Sequence, residues 1–136
     1  MNIEQVADNI YAFPIVLPNN PLKWLNCYVV SSGGRNLLID TGFNRPECRE
    51  ALLGGMRQLG LTADNTDIFI THLHSDHTGN AAYLAGEGFN ILMGRTDHRV
   101  VTMPQSEKHR ETHARFLREG MPKEDLALWS AQTPAI

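Results

Sequence analysis

Thr71-His72-Leu73-His74-Ser75-Asp76-His77-Thr78-Gly79-Asn80 sets three imidazoles and a carboxylate within the span 72–77. The apolar, β-branched run Ile68-Phe69-Ile70-Thr71 leads into it, so Asp67 to His72 reads as a strand that brings the first histidines to its C-terminal end. Period 2 then sends the His72 and His74 rings to the same side. Asp76 and His77 follow where the chain leaves the strand for a helix over 77–86, and they face the same pocket from another direction. The pattern HxHxDH is expected by chance roughly 0.0006 times in a chain of this length with six histidines. Imidazoles this close repel when protonated and need partners when buried, whereas one divalent cation satisfies them together. The stretch reads as half of a metal site.

Outward from it, strands and helices alternate. Asn44 to Leu59 reads as a helix with Asn44 as N-cap, Pro46 and Glu47 in the first turn, and Leu52, Leu53, Met56 and Leu59 on one stripe. Cys27 to Ser31 and Asn36 to Asp40 read as strands joined at Ser32-Gly33-Gly34-Arg35, a turn with the glycines a tight hairpin needs. Ile3 to Val6 and Ile10 to Phe13 form an opening hairpin, and Asn90 to Gly94 a final strand. The order after residue 36 is β-α-β-α-β, which argues for an α/β fold, a sheet with helices on its outer face. Asp40, at a strand end before Thr41-Gly42, either caps the turn or orients a ligand histidine. The proline- and asparagine-rich stretch from Pro14 to Asn26 reads as a loop in which Trp24 either plugs the core edge or forms a lip over the site.

Beyond Thr96 the chain turns helical and polar, with one helix from a Ser106 cap to Glu119 and another from Pro122 to Trp129. His109 and His113 share a face there, but Glu111 stands two residues after His109, whereas a zinc-protease motif has its glutamate directly after the first histidine. A solvated helix face accounts for the pair better. The chain organises as one domain over 1–136, with a sheet and metal-motif half over 1–94 and a helical segment over 95–136.

Composition sets outer bounds. The net charge is −3 with 42% hydrophobic residues and the pI is near 6.0, which argues against a grip on nucleic acid or an anionic membrane. No apolar run approaches the roughly 18 residues of a membrane span, and Met1-Asn2-Ile3-Glu4-Gln5 lacks the order of a signal peptide, so a cytoplasmic location is expected. Cys27 and Cys48 lack framework spacing and read as buried thiols without a metal role.

With Asn26-Cys27-Tyr28 and Leu38-Ile39-Asp40-Thr41-Gly42 ahead of it, the histidine stretch resembles the metallo-β-lactamase superfamily, in its glyoxalase II-like hydrolase group. The likeness covers residues 1 to about 130 in motif and strand order. It implies an αβ/βα sandwich, here mainly the N-terminal half of the domain, with a helical insertion after residue 105. Position by position it makes His72 and His74 ligands of a first metal, and Asp76 and His77 ligands of a second. Asp40 matches the aspartate behind the site, so Asp76 and Asp40 carry the catalytic roles. The implied cofactor is zinc, two ions in a complete domain, with iron or manganese also suited to imidazole and carboxylate. The family's remaining ligands would follow Ile136, so the resemblance implies an incomplete domain that forms a homo-oligomer, pairs with a missing C-terminal half, or was cut from a longer parent.

The implied function is hydrolysis of a small-molecule ester, thioester, lactone, amide or phosphodiester by a metal-bound hydroxide. Two alternatives stand beside it: an iron-dependent oxidoreductase of the same superfamily, and a catalytically silent domain that needs a partner chain to complete its metal site.

Overall fold

The computed structural model describes residues 2–132, which fall into two compact units, 2–97 and 98–132. The first unit is a mixed six-stranded sheet with helices. Its strands are β1 (Glu4–Ala7), β2 (Ile10–Val16), β3 (Trp24–Ser32), β4 (Arg35–Ile39), β5 (Thr66–Ile70) and β6 (Asn90–Met93), paired in chain order. β1 to β4 are antiparallel neighbours, while β4, β5 and β6 run parallel. The parallel half follows from its connections: helix α1 (Pro46–Gln58) crosses from β4 to β5, and α2 (Ser75–Thr78) and α3 (Ala81–Gly86) cross from β5 to β6.

Alternation along the strands decides which face is core. Phe13, Ile15, Cys27, Val29, Leu38, Ile68 and Ile70 point to one side and are buried. Against them α1 sets Cys48, Leu52, Gly55 and Met56, spaced as one helical stripe. Gly55 is where the helix comes nearest the sheet, since a Cβ there would strike the Phe13 ring. The stripe expected from sequence is shifted toward the N-terminus: Leu53 and Leu59 are only partly buried, and Cys48 and Gly55 belong to it.

The opposite face is apolar as well. Cross-strand partners Val16 and Trp24, then Tyr28, Ile39, Phe69 and Leu92 in successive register, lie on it, and Trp24 remains 54% exposed. Trp24 therefore does not plug the core edge. A groove of about 440 Å³ on this face is lined by Val6, Ala12, Pro14, Trp24, Asn26 and Tyr28. The expected loop over 14–26 is shorter than its prolines suggest, because β2 runs on through Pro14 to Val16. Pro14 pairs with Asn26 of β3 beyond the stretch that β1 covers, so its missing N–H removes no ladder bond.

Two helix starts differ from the sequence expectation. Arg45, not Asn44, is the N-cap of α1, with Pro46 at its first position. The Asn44 carboxamide oxygen instead accepts from Arg49 Nη2 at 2.6 Å. Pro104, not Ser106, caps α5 (Gln105–Arg118).

α4 (Arg95–Thr102) spans the boundary between the units, and α5 and α6 (Lys123–Gln132) make up the second. Within it His109 stacks on Trp129 at 4.7 Å between ring centres, Phe116 meets the same indole edge-on, and Leu126 is buried. The His109/His113 face is thus packed on an indole, not solvated. Among the described residues no helix is long and apolar enough to cross a membrane.

Both cysteines are free and buried. Burial, with the Asp40 charge beside it, pushes the Cys27 thiol well up, and burial pushes Cys48 up too. The stability gained by keeping these thiols neutral is complete below the unfolded pKa of about 8.5 and declines as the pH rises from there toward the higher folded values. Native protein is expected to leave both thiols unreacted with a disulfide reagent at mild alkaline pH and to release two equivalents in denaturant. Leu52→Ala should lower stability in urea melts by about 3 kcal/mol, against about 0.5 kcal/mol or less for Leu22→Ala, since Leu22 is 67% exposed.

Candidate metal centre

β4 and β5 run parallel, so their C-terminal ends reach the same edge of the sheet, and the site is built there. β4 ends at Ile39 and Asp40 turns out of it with φ of 64°, a left-handed conformation that aspartate tolerates better than most side chains. Its N–H still donates to Phe69 O at 3.0 Å, which holds the two strand ends together. β5 ends at Ile70, two residues earlier than the sequence suggests. The Thr71 N–H is drawn off the ladder to Asp40 Oδ1 at 2.9 Å. His72 and His74 therefore sit in the bend after the strand, and it is the bend that turns their rings together.

The expected single helix over 77–86 is broken in two. α2 ends at Thr78 and α3 begins at Ala81. Between them Gly79 lies against the backbone of Gly42, Phe43 and Asn44, with no room for a Cβ. Buried Asn80 donates from its backbone N–H to Thr41 Oγ1 and from Nδ2 to Thr41 O (2.7 Å) and Phe43 O (2.9 Å), while its Oδ1 accepts from Arg49 Nε. Thr41 returns the contact, its N–H and hydroxyl both donating to His77 O, at 2.9 and 2.8 Å. Helix continuity is exchanged for docking of α2 on the loop after β4.

The result gathers all five expected side chains. His72 Nε2 stands 3.0 Å from His74 Nδ1, and the His72 and His77 ring centres are 4.1 Å apart. His77 Nε2 lies 3.6 Å from Asp76 Oδ2. On its other side His77 Nδ1 donates to Asp40 Oδ2 at 2.7 Å. Asp40 is 5% exposed, and its carboxylate also accepts from Thr71 Oγ1. Asp40 is thus behind the site, holding a ring, and not at its mouth.

Two donors bound to one tetrahedral zinc at ordinary Zn–N lengths stand about 3.3 Å apart. The His72/His74 and Asp76/His77 pairs bracket that spacing, so the donor chemistry and spacing suit a divalent ion. Among the described residues no group of three or more His, Cys, Asp or Glu side chains is gathered to hold one ion. Thr71, Asn80 and Asp97, whose Oδ1 accepts from Leu73 N–H at 3.3 Å, shape the site without any motif of their own. Thr71 and Asn80 stand at the two ends of the histidine stretch, and Asp97, inside α4, has no signal in sequence.

The description "Metallo-beta-lactamase superfamily" belongs to a family model that matches residues 25–130. An atrochrysone carboxyl ACP thioesterase of Aspergillus novofumigatus is 38% identical over 57% of this chain and 24% of its own length. A lactamase-like protein of Pestalotiopsis microspora is 32% identical over 61% of this chain and 26% of its own. Among solved structures, a metallo-beta-lactamase family protein of Thermus thermophilus superposes with TM-score 0.65 and 30% identity, over 87% of this chain and 40% of that one. A subclass B3 metallo-beta-lactamase from a soil metagenome library shares the fold at TM-score 0.61 and 22% identity, over 80% and 39%. The chain thus spans about a quarter of the length of the curated relatives it matches.

Gly79→Ala must push α2 off the 42–44 backbone. It is expected to cost more than about 2 kcal/mol in denaturant melts, whereas Gly86→Ala, where a Cβ meets open space, should be neutral or stabilising.

Proposed function

The chain belongs to the metallo-beta-lactamase superfamily, and from that premise we propose that it supplies part of the donor set of a metal-dependent hydrolase acting on a small acyl thioester. The observation that carries the reading is the facing pair His72 Nε2 and His74 Nδ1 at 3.0 Å, with Asp76 and His77 beside it. In this reading His72 and His74 hold one divalent ion, and Asp76 and His77 a second. Zinc suits this mixture of imidazole and carboxylate. A bound metal of this kind lowers the pKa of water and polarises a carbonyl, which is the chemistry acyl hydrolysis needs. Asp40 keeps the His77 ring turned so that Nε2 faces the site. The thioester class is supported by the name of the Aspergillus relative.

Two donors per ion fall short of the three or four that zinc takes from protein. The remaining donors come, in this proposal, from polypeptide beyond these residues, either a second copy or a further segment of the same protein. The apolar sheet face bearing Val16, Trp24, Tyr28 and Leu92 offers that polypeptide a seat.

Metal content by elemental mass spectrometry and thioester turnover test the reading together. Protein that carries the completing polypeptide is expected to hold up to two zinc ions and to hydrolyse acyl-pantetheine thioesters. This chain alone should bind zinc weakly. In the completed protein His74→Ala should lower zinc affinity and turnover by at least about tenfold; unchanged zinc and full turnover in that variant would contradict the assignment.

A further inference from the structure

We infer that Thr71 is a positioning residue that sets the ring tautomer of His72 and, together with Asp40, that of His77. The inference deepens the proposed metal reading, because it says which nitrogens are offered to an ion, but its geometry stands without a metal.

The argument is a count of protons. The Asp40 carboxylate offers only lone pairs. Thr71 Oγ1 lies 3.0 Å from its Oδ1 and 2.9 Å from its Oδ2. A hydroxyl so near two carboxylate oxygens must point its proton at them, since otherwise three sets of lone pairs confront one another. That commits its single proton. Toward His72 Nδ1, 3.0 Å away, Oγ1 has only a lone pair left, so the bond there requires the hydrogen on Nδ1. His72 is thereby held as the Nδ1–H tautomer, with the Nε2 lone pair aimed at His74 Nδ1. The same logic applies to His77. Its Nδ1 faces Asp40 Oδ2 at 2.7 Å and Thr71 Oγ1 at 3.5 Å, both acceptors on that side, so it too carries its hydrogen on Nδ1 and turns Nε2 toward Asp76.

One hydroxyl and one carboxylate thus present two histidines through the same nitrogen. Neither ring has to flip or change tautomer when a cation arrives. Serine can replace threonine in this role; valine, equal in shape, leaves His72 Nδ1 without an acceptor.

The test is a long-range proton–nitrogen correlation spectrum of metal-free protein with labelled histidine, at a pH of about 8, where ordinary imidazoles are neutral. Peaks are assigned by their loss in His72→Gln and His77→Gln. Wild type and Thr71→Ser are expected to show His72 protonated at Nδ1, and Thr71→Val to shift it toward Nε2–H while His77 stays at Nδ1–H. His72 protonated at Nε2 in the wild type overturns the inference, and that reading needs no Thr71 variant to fold. An unchanged tautomer in a folded Thr71→Val protein overturns it as well.

Zinc affinity of the same samples, by competition with a chromogenic chelator, is expected to fall about 10- to 100-fold in Thr71→Val and to stay within about threefold in Thr71→Ser. Equal affinity of wild type and Thr71→Val, with zinc bound to both, also overturns the inference. Absence of zinc binding in the completed protein, with Nδ1–H retained on His72, would sink the metal reading and leave the tautomer assignment standing.

Discussion

A nearly buried carboxylate must be given partners or it costs several kcal/mol, and the architecture of this protein's functional edge follows from how Asp40 is given them. Its backbone extends the β4–β5 ladder by one bond while its side chain takes the next N–H of β5, so the strand pairing stops there. Its second oxygen takes the His77 ring, which belongs to another element. One residue in a left-handed conformation therefore joins two strand ends to the segment that follows them. The same charge lies under the sheet edge, where it helps keep the Cys27 thiol neutral, with Cys27 Sγ donating to the Ile39 and Asp40 carbonyls.

Around that carboxylate the backbone supplies rigidity that the short helices could not. α2 has four residues and α3 six, lengths at which an isolated helix has little stability in water. They hold because Thr41, Asn80 and the bare Gly79 lock the break between them onto the loop after β4. Arg49, reaching from α1 to Asn80 and lying over the Tyr83 ring at 4.4 Å, ties the helical layer to the same point. The imidazoles are thus carried on a bend, but a bend clamped from both sides, and positional precision of this kind is what a metal centre demands.

The sheet has two apolar faces, and they have different fates. One is covered by α1 and α3 and forms the core. The other leaves Trp24, Val16 and Leu92 substantially in water. The edge that carries the histidines belongs to this same sheet.

The sequence by itself determined the order of the six strands and the place of α1 among them, the β3–β4 hairpin and the burial of both cysteines. These depend on period, turn chemistry and residue type, which are local. The tertiary structure alone decided that β5 stops at Ile70, that the helix after His77 breaks at Gly79 and Asn80, that Asn44 gives up its capping place to Arg45, and that His109 packs on Trp129. It also set the His77 ring against Asp40, with Nδ1 2.7 Å from Oδ2. Each of these turns on a hydrogen bond or a close approach between residues some 5 to 39 positions apart, and no local pattern records which distant acceptor a given N–H will find.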